Sequence, residues 1–407
     1  MGVPELVMPA GSLEKMKTAL LFGADAVYLG GKEFSLRAYA GNLTLQEIAE
    51  GLKFARERER RVYVTVNVLA RNRDIDRLPV YLEELARLEV DGLIISDPGV
   101  MRLASKYAPG LPITVSTQAS VCNYETAAFY RDLGARRVVL ARELNLEEIS
   151  EIKQRTDIEL EVFVHGAMCV SYSGRCLLSH YMTGRGANQG ECAHPCRYRY
   201  ALMEEKRPGQ YYPIEEDDKG SYILNSRDLC LLEYLPRLME MGVDAFKVEG
   251  RMKSPLYVAS VASVYRQAID QYQIERRFSE DHLASWQREL SKTATRPFTN
   301  GFMEGESSWL QDIDKEESTS RSEFCGVVQT WHPGPKRLEV EQRGNFGTGD
   351  SLELLLPGGQ AMPLEITVLY DGEGNILDRA RHPRQRVFFS FPQAVPDYTI
   401  LRKGNQR

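Results

Sequence analysis

Short apolar runs alternate with amphipathic helical stretches over the first 275 residues. ELVMPA (5–10) has the length and character of a buried strand, and SLEKMKTALLFG (12–23) follows as a helix with Ser12 at its N-cap and Lys15 at the capping-box position. The alternation repeats. DAVYLGG (25–31) precedes a helix over 44–58, RVYVTVNVLA (61–70) one over 76–90, and DGLIIS (91–96) one over 100–108. PITVSTQ (112–118) leads to a helix over 123–134, RRVVLARE (136–143) to one over 146–154, and IELEVFVHG (158–166) makes a seventh strand. After a long insertion, DLCLLEYLPRLMEMG (228–242) reads as a helix, DAFKVEG (244–250) as an eighth strand and SPLYVASVASVYRQAIDQY (254–272) as its helix.

Eight strand–helix units, their strands rich in Val, Ile, Leu and Tyr, predict an α/β fold: a (β/α)8 TIM-like barrel over 1–275. A recurring phrase supports this. FGADAVYL, EVDGLII and MGVDAFKV each join a helix end to an Asp and then to a parallel strand. A doubly wound sheet would suit the alternation, but a count of eight favours closure. Residues 276–320 are polar and read as a helical and loop connector, whereas 321–407 carry short strands with Gly, Asp and Pro turns. That pattern predicts a small C-terminal all-β barrel domain, either a stabilising appendage or an RNA- or protein-docking module.

Composition narrows the class. At 407 residues, 43% hydrophobic and 27% charged, the chain is an ordinary globular protein with no apolar stretch that approaches a membrane span. The start MGVPELVMPAGSLEKM lacks the features of a secretory signal, so a cytoplasmic location with reduced thiols is expected. The net charge of −6 excludes a uniformly basic nucleic-acid-coating surface and leaves room for local basic patches.

Four of the seven cysteines fall within HGAMCVSYSGRCLLSHYMTGRGANQGECAHPC (165–196), spaced C-x6-C-x15-C-x3-C as Cys169, Cys176, Cys192 and Cys196. Disulfides are disfavoured in a reducing compartment. Zinc knuckles need two close pairs, and here only the last pair is close. A nucleophilic thiol beside His165 would use one cysteine, and the remaining reading is incidental thiols. Wide spacing on irregular loops favours an iron–sulfur cubane. Cys230, in LNSRDLC, is an alternative ligand. The insertion (166–226) begins where the seventh strand ends, so it lies over the pocket end of the barrel, and a bound metal centre would order it. Reading the strand ends gives Pro9–Gly11, Gly30–Gly31, Asn67, Ser96–Asp97, Thr117–Gln118, Arg142–Glu143, His165 and Glu249–Arg251 as pocket candidates. His165, Glu249 and Arg142 are the candidate catalytic residues.

The segments MPAGSLEKMKTALLFGADAVYLGGKEFSLRA, TVSTQASVCN, EVFVHGAMCVSYSGRCLLSHYMTGRGANQGECAHPCR and NSRDLC resemble peptidase family U32, and within it the tRNA-hydroxylating branch. The resemblance implies a [4Fe-4S] cluster on the cysteines above and oxygen-independent, prephenate-dependent hydroxylation of the wobble uridine to 5-hydroxyuridine. It makes the tRNA anticodon loop a partner and an electron-donor protein a further one. Prephenate is a dicarboxylate, so Arg37, Arg142 and Arg251 are candidate contacts through bidentate pairing. Around the insertion, Arg175, Arg185, Arg197 and Arg199 interleave with tyrosines and are RNA-binding candidates. The family name suggests a collagenase-like peptidase with a Cys/His site, yet no HExxH or G-x-S-x-G motif is present. A non-catalytic RNA-binding protein with a structural metal is the third reading.

Overall fold

A computed structural model describes residues 2–35, 42–168, 178–183, 201–203, 211–213, 215–217, 220–222, 227–305 and 322–404. The chain divides into two compact units. One gathers Met1–Leu13, Ala26–Met252 and Arg296–Glu317, and the other Glu14–Asp25, Lys253–Thr295 and Ser318–Arg407.

The large sheet of the first unit is built, in chain order, from β1 (Glu5–Ala10), β2 (Ala26–Gly30), β3 (Arg61–Val66), β4 (Gly92–Ile95), β5 (Ile113–Val115), β6 (Arg137–Val139), β7 (Glu159–Ala167), β8 (Asp228–Cys230), β9 (Ala245–Val248) and β10 (Phe298–Thr299). From β1 to β7 each strand pairs in parallel with the next, and β9 pairs in parallel with both β7 and β1. The eight-stranded barrel is therefore closed, as the strand count predicts. Its strands are buried because inward and outward faces are both covered, which is why their sequences read as apolar runs. Thr44 and Asn145 start two of the intervening helices with reciprocal caps to Glu47 and Glu148.

The predicted helix over 228–242 is corrected. Asp228, Leu229 and Cys230 form β8, antiparallel to β7 and opposite Ala167, Gly166 and His165 respectively. Helix proper spans only Leu235–Glu240, with Pro236 in its first turn. The cause is the nine-residue length of β7, which runs past the barrel rim and would leave backbone donors and acceptors open. β8 pairs with them, and β10 adds in parallel to β8.

The second unit contains helices Pro255–Glu275 and Glu280–Ser291 and an antiparallel sheet. Its strands are β11 (Ser322–His332), β12 (Arg337–Gln342), β13 (Leu352–Leu355), β14 (Ala361–Leu364), β15 (Leu369–Tyr370), β16 (Ile376–Leu377), β17 (Arg386–Ser390) and β18 (Ile400–Gly404). They are ordered β14-β13-β18-β11-β12-β17-β15-β16. This is the all-β region that the turn-rich tail predicts. Leu338, Val340, Leu369, Val387 and Phe389 share its core with Cys325, whose thiol burial pushes up to about 12. Arg402 is 0% exposed and donates to both carboxylate oxygens of Glu289 and to Glu353. Among the described residues no helix is long and apolar enough to cross a membrane.

Candidate active site at the barrel mouth

The lower half of the barrel interior is filled by charge. Glu5 on β1 receives hydrogen bonds from Arg137 on β6 (2.7 Å) and Tyr63 on β3 (2.9 Å), strands that are not its neighbours, so these contacts cross the inside. Arg137 also donates to Glu161 (3.1 Å) and to Glu159, while Lys247 donates to Glu161 and lies 4.2 Å over the Tyr28 ring. Arg61 completes the set by donating to Glu5 (2.9 Å). Glu5, Glu159 and Glu161 thus balance Arg61, Arg137 and Lys247. Burial alone would raise the Glu161 carboxyl, but Lys247 and Arg137 together hold it below the ordinary carboxylate value. Because this layer sits toward the strand N-termini, it belongs to the stability end of such a barrel.

Polar groups at the opposite end, the mouth, lace one strand end to the next. Ser96 Oγ donates to the Asn67 carbonyl (2.9 Å), Ser116 N to Ile95 O (2.7 Å) and Thr117 Oγ1 to Leu140 O (3.2 Å). Arg142 donates to Ala167 O (3.1 Å) with its guanidinium 4.0 Å over the Phe163 ring, and Glu249 N donates to His165 O (2.8 Å). On the β2 side, Thr65 Oγ1 gives its proton to Leu29 O (3.1 Å), so the 2.7 Å contact from Ser35 Oγ must be donated by Ser35. Arg251 in turn donates to Ser35 Oγ (3.1 Å) and to Asn42 Oδ1. A Cβ on Gly30 would strike both Ser35 and Arg251, so only glycine lets this clamp close.

Against that laced rim, two polar atoms stand out. Gln118 Oε1 and Ser120 Oγ are buried and have no hydrogen-bond partner. Both belong to the turn after β5, where Ser120 adopts the left-handed conformation (φ 54°) that a serine reaches only against a steric cost. An unmatched buried carboxamide oxygen costs about 1–3 kcal/mol, and such strain gathers where ligands bind. A carboxamide presents one acceptor beside one donor group, the complement of a pyrimidine edge.

The sequence candidates distribute as follows. His165 and Glu249 are both nearly completely buried at the ends of the adjacent strands β7 and β9. Arg142 lies on the next strand end and holds the last residue of β7, two positions before Cys169. Arg251 is buried in the β2 clamp. Cys230 is half-buried opposite His165, and partners in antiparallel register hold their Cβ atoms about 5 Å apart. Cys169, Cys176, Cys192, Cys196, Arg37, Arg175, Arg185, Arg197 and Arg199 lie outside the described residues. Among the described residues no cluster of three or more His, Cys, Asp or Glu side chains forms a metal site. Burial raises the Cys122 thiol, with Glu143 and Glu148 adding to it, which keeps it protonated and unreactive. Reading the sequence missed the lower charge network and Ser120. Charged residues in mid-strand with opposite signs on neighbouring strands, Glu161 in ELEVF and Lys247 in AFKV, were the available signal.

Residues 11–311 match peptidase family U32, and residues 320–402 match the peptidase family U32 C-terminal domain. The chain belongs to the U32 family. Over 404 residues it is 40% identical to tRNA hydroxylation protein P1 of Bacillus subtilis, covering 98% of this chain and 95% of that one. It is 36% identical to tRNA hydroxylation protein P of Escherichia coli, over 98% of this chain and 97% of the relative. A third relative, the 23S rRNA 5-hydroxycytidine C2501 synthase of Escherichia coli, is 38% identical over 86% of this chain and 52% of its own length.

Proposed function

We propose that this U32 chain hydroxylates RNA, converting the wobble uridine of tRNA to 5-hydroxyuridine without molecular oxygen and with prephenate as co-substrate. The observation that carries the reading is end-to-end likeness to two bacterial tRNA hydroxylation proteins. The rRNA 5-hydroxycytidine synthase supports it, since that name places a hydroxyl on the same carbon of the other pyrimidine.

Replacing C–H by C–OH on a pyrimidine removes two electrons and adds an oxygen atom, so prephenate is assigned both roles, oxygen donor and acceptor of the electron pair. Side chains carry out such chemistry poorly alone. Four of Cys169, Cys176, Cys192, Cys196 and Cys230 would hold a [4Fe-4S] cluster, which supplies one-electron chemistry when bound. β7 ends at Ala167, two residues before Cys169 in sequence, and β8 pairs Cys230 with His165, which supports a shared site.

The chain's own residues supply recognition and proton handling. Gln118 would read the uracil edge, its oxygen accepting N3–H and its amide nitrogen donating to a ring carbonyl. Arg142, over the Phe163 ring, would receive a carboxylate of prephenate, with Arg37 as its counterpart from outside the described residues. Arg251 acts instead as a positioning residue, fixing the loop after β2 through Ser35 and Asn42. The C5 proton needs a base, and His165 or Glu249 at the rim would take it.

The test is direct. Protein purified without oxygen should be brown and carry iron and sulfide in equal amounts, about four of each per chain. tRNA from cells without the gene should lack 5-hydroxyuridine by mass spectrometry, and prephenate starvation should reproduce that loss. Colourless, iron-free anaerobic protein together with unaltered tRNA would remove the reading.

A further inference from the structure

The C-terminal sheet turns one face to its core, and the opposite face is partly exposed. Along β12, Leu338 and Val340 enter the core while Arg337 and Glu339 alternate outward. Along β17, Val387 and Phe389 enter it while Arg386, Phe388 and Ser390 face out. Register aligns Glu339 with Phe388, Phe388 with Tyr370, and Tyr370 with Ile376. The outer face therefore carries a row of Phe388, Tyr370 and Ile376, the last 73% exposed. Packing does not require aromatic rings on this side, because the core lies behind the sheet.

Cations flank the row. Arg337 lies 4.2 Å over the Tyr370 ring, and the His332 ring is 6.1 Å from Phe388. Arg386 pairs with Glu339 at 3.3 Å yet keeps its side chain 70% exposed, while Lys336 and Arg384 are exposed on the adjoining loops. Arg337 is opposite Ser390, four residues along β17 from Arg386, so the two cations stand about 13 Å apart along the strands with Phe388 between them. The acidic side chains nearby are limited. Glu339 is shared between Arg386 and His332, Glu341 opposite Arg386 is paired with Arg343, Asp378 is held by Arg381, and Asp371 and Glu373 sit on the turn beyond Tyr370. Rings for stacking between cations for phosphate are the pattern of a single-stranded nucleic-acid platform.

We propose that this face binds an unpaired segment of the tRNA substrate, with bases stacked on Phe388 and Tyr370 and phosphates on Arg337, Arg386 and Arg384. The inference rests on the RNA-hydroxylating reading above and adds where the RNA is gripped away from the barrel. It is tested on the full-length, cluster-loaded protein with two double variants, Tyr370→Ala/Phe388→Ala and Arg384→Glu/Arg386→Glu. tRNA affinity is measured by fluorescence anisotropy across a salt series, alongside kcat and KM for 5-hydroxyuridine formation. Both variants should weaken tRNA binding and raise KM about tenfold or more with kcat unchanged, and the charge variant should flatten the salt dependence by one to two units of slope. The arginine pair guards against a folding artefact of the aromatic pair. Unchanged affinity and KM in the arginine variant, with melting intact, overturns the proposal, including the case where the face binds a protein instead. If the wild type makes no 5-hydroxyuridine, the enzymatic reading fails, and the anisotropy series still decides this one.

Discussion

The two ends of the barrel interior handle polar groups in opposite ways. At the lower end Glu5, Glu161, Arg137 and Lys247 are buried together, with Glu159 and Arg61 at the more exposed edge, and the bonds to Glu5 cross between non-adjacent strands. At the mouth, Ser96, Thr117 and Arg142 are matched to neighbouring backbone, while the buried polar atoms left without a partner include Gln118 Oε1 and Ser120 Oγ on one turn. A saturated network fixes a scaffold because every member would lose more by leaving than by staying. An unsaturated one keeps free energy in reserve for a ligand that completes it. A few residues' climb along the strands thus separates a saturated network from an unsaturated turn.

The largest effect should come from breaking the lower end. Arg137→Ala removes the common partner of Glu5, Glu159 and Glu161 and leaves buried carboxylates opposed by too little charge. Losing one partner of such a buried group costs about 3–5 kcal/mol. Chemical denaturation should show a loss of that size, and a loss below about 1 kcal/mol would mean the network is solvated after all.

Acid should act on the same end more gradually. Glu161 is held below the ordinary carboxylate value in the folded protein, so it contributes stability above that value and loses it as pH falls through its own depressed one. The protonated form leaves Lys247 and Arg137 buried with a weaker counter-charge. Denaturation midpoints measured from neutral pH downward should therefore fall more steeply for the wild type than for Glu161→Gln. Parallel curves would assign the acid response elsewhere, for instance to Glu289, which Arg402 holds down against the upward push of burial.

How much of this was readable beforehand depends on the range of the interactions. The eight strands were legible because a parallel strand covered on both faces must be apolar over its own few residues, as in GLII and RVVL. β8 was not, because Asp-Leu-Cys-Leu-Leu carries a helix-like apolar density and its strand character is imposed by the overhanging end of β7. Strand ends pointed to His165, Glu249, Arg142 and Gln118, which lie at the mouth end of their strands. They could not tell Arg251, spent on Ser35 and Asn42, from an arginine offered to ligand. The charge network crosses from β1 to β6, 132 positions apart in sequence, and no local pattern encodes such a meeting.

The smallest effect on stability, and the sharpest test of the contrast, belongs to Gln118. In the lower network every side chain removed leaves a partner stranded. Gln118 leaves none, because its side-chain oxygen has no partner to lose. Gln118→Leu keeps the volume and deletes an unsatisfied buried acceptor, so the folded protein should change by less than about 0.5 kcal/mol or gain slightly. Hydroxylation should respond in the other direction, with product formation on tRNA falling about tenfold or more as the uracil edge loses its complement. Gln118→Glu separates shape from hydrogen bonding, since it keeps the acceptor and removes the donor. Should Gln118→Leu instead destabilise the chain by several kcal/mol with turnover intact, the turn after β5 is structural and the division between the two ends of the barrel does not hold.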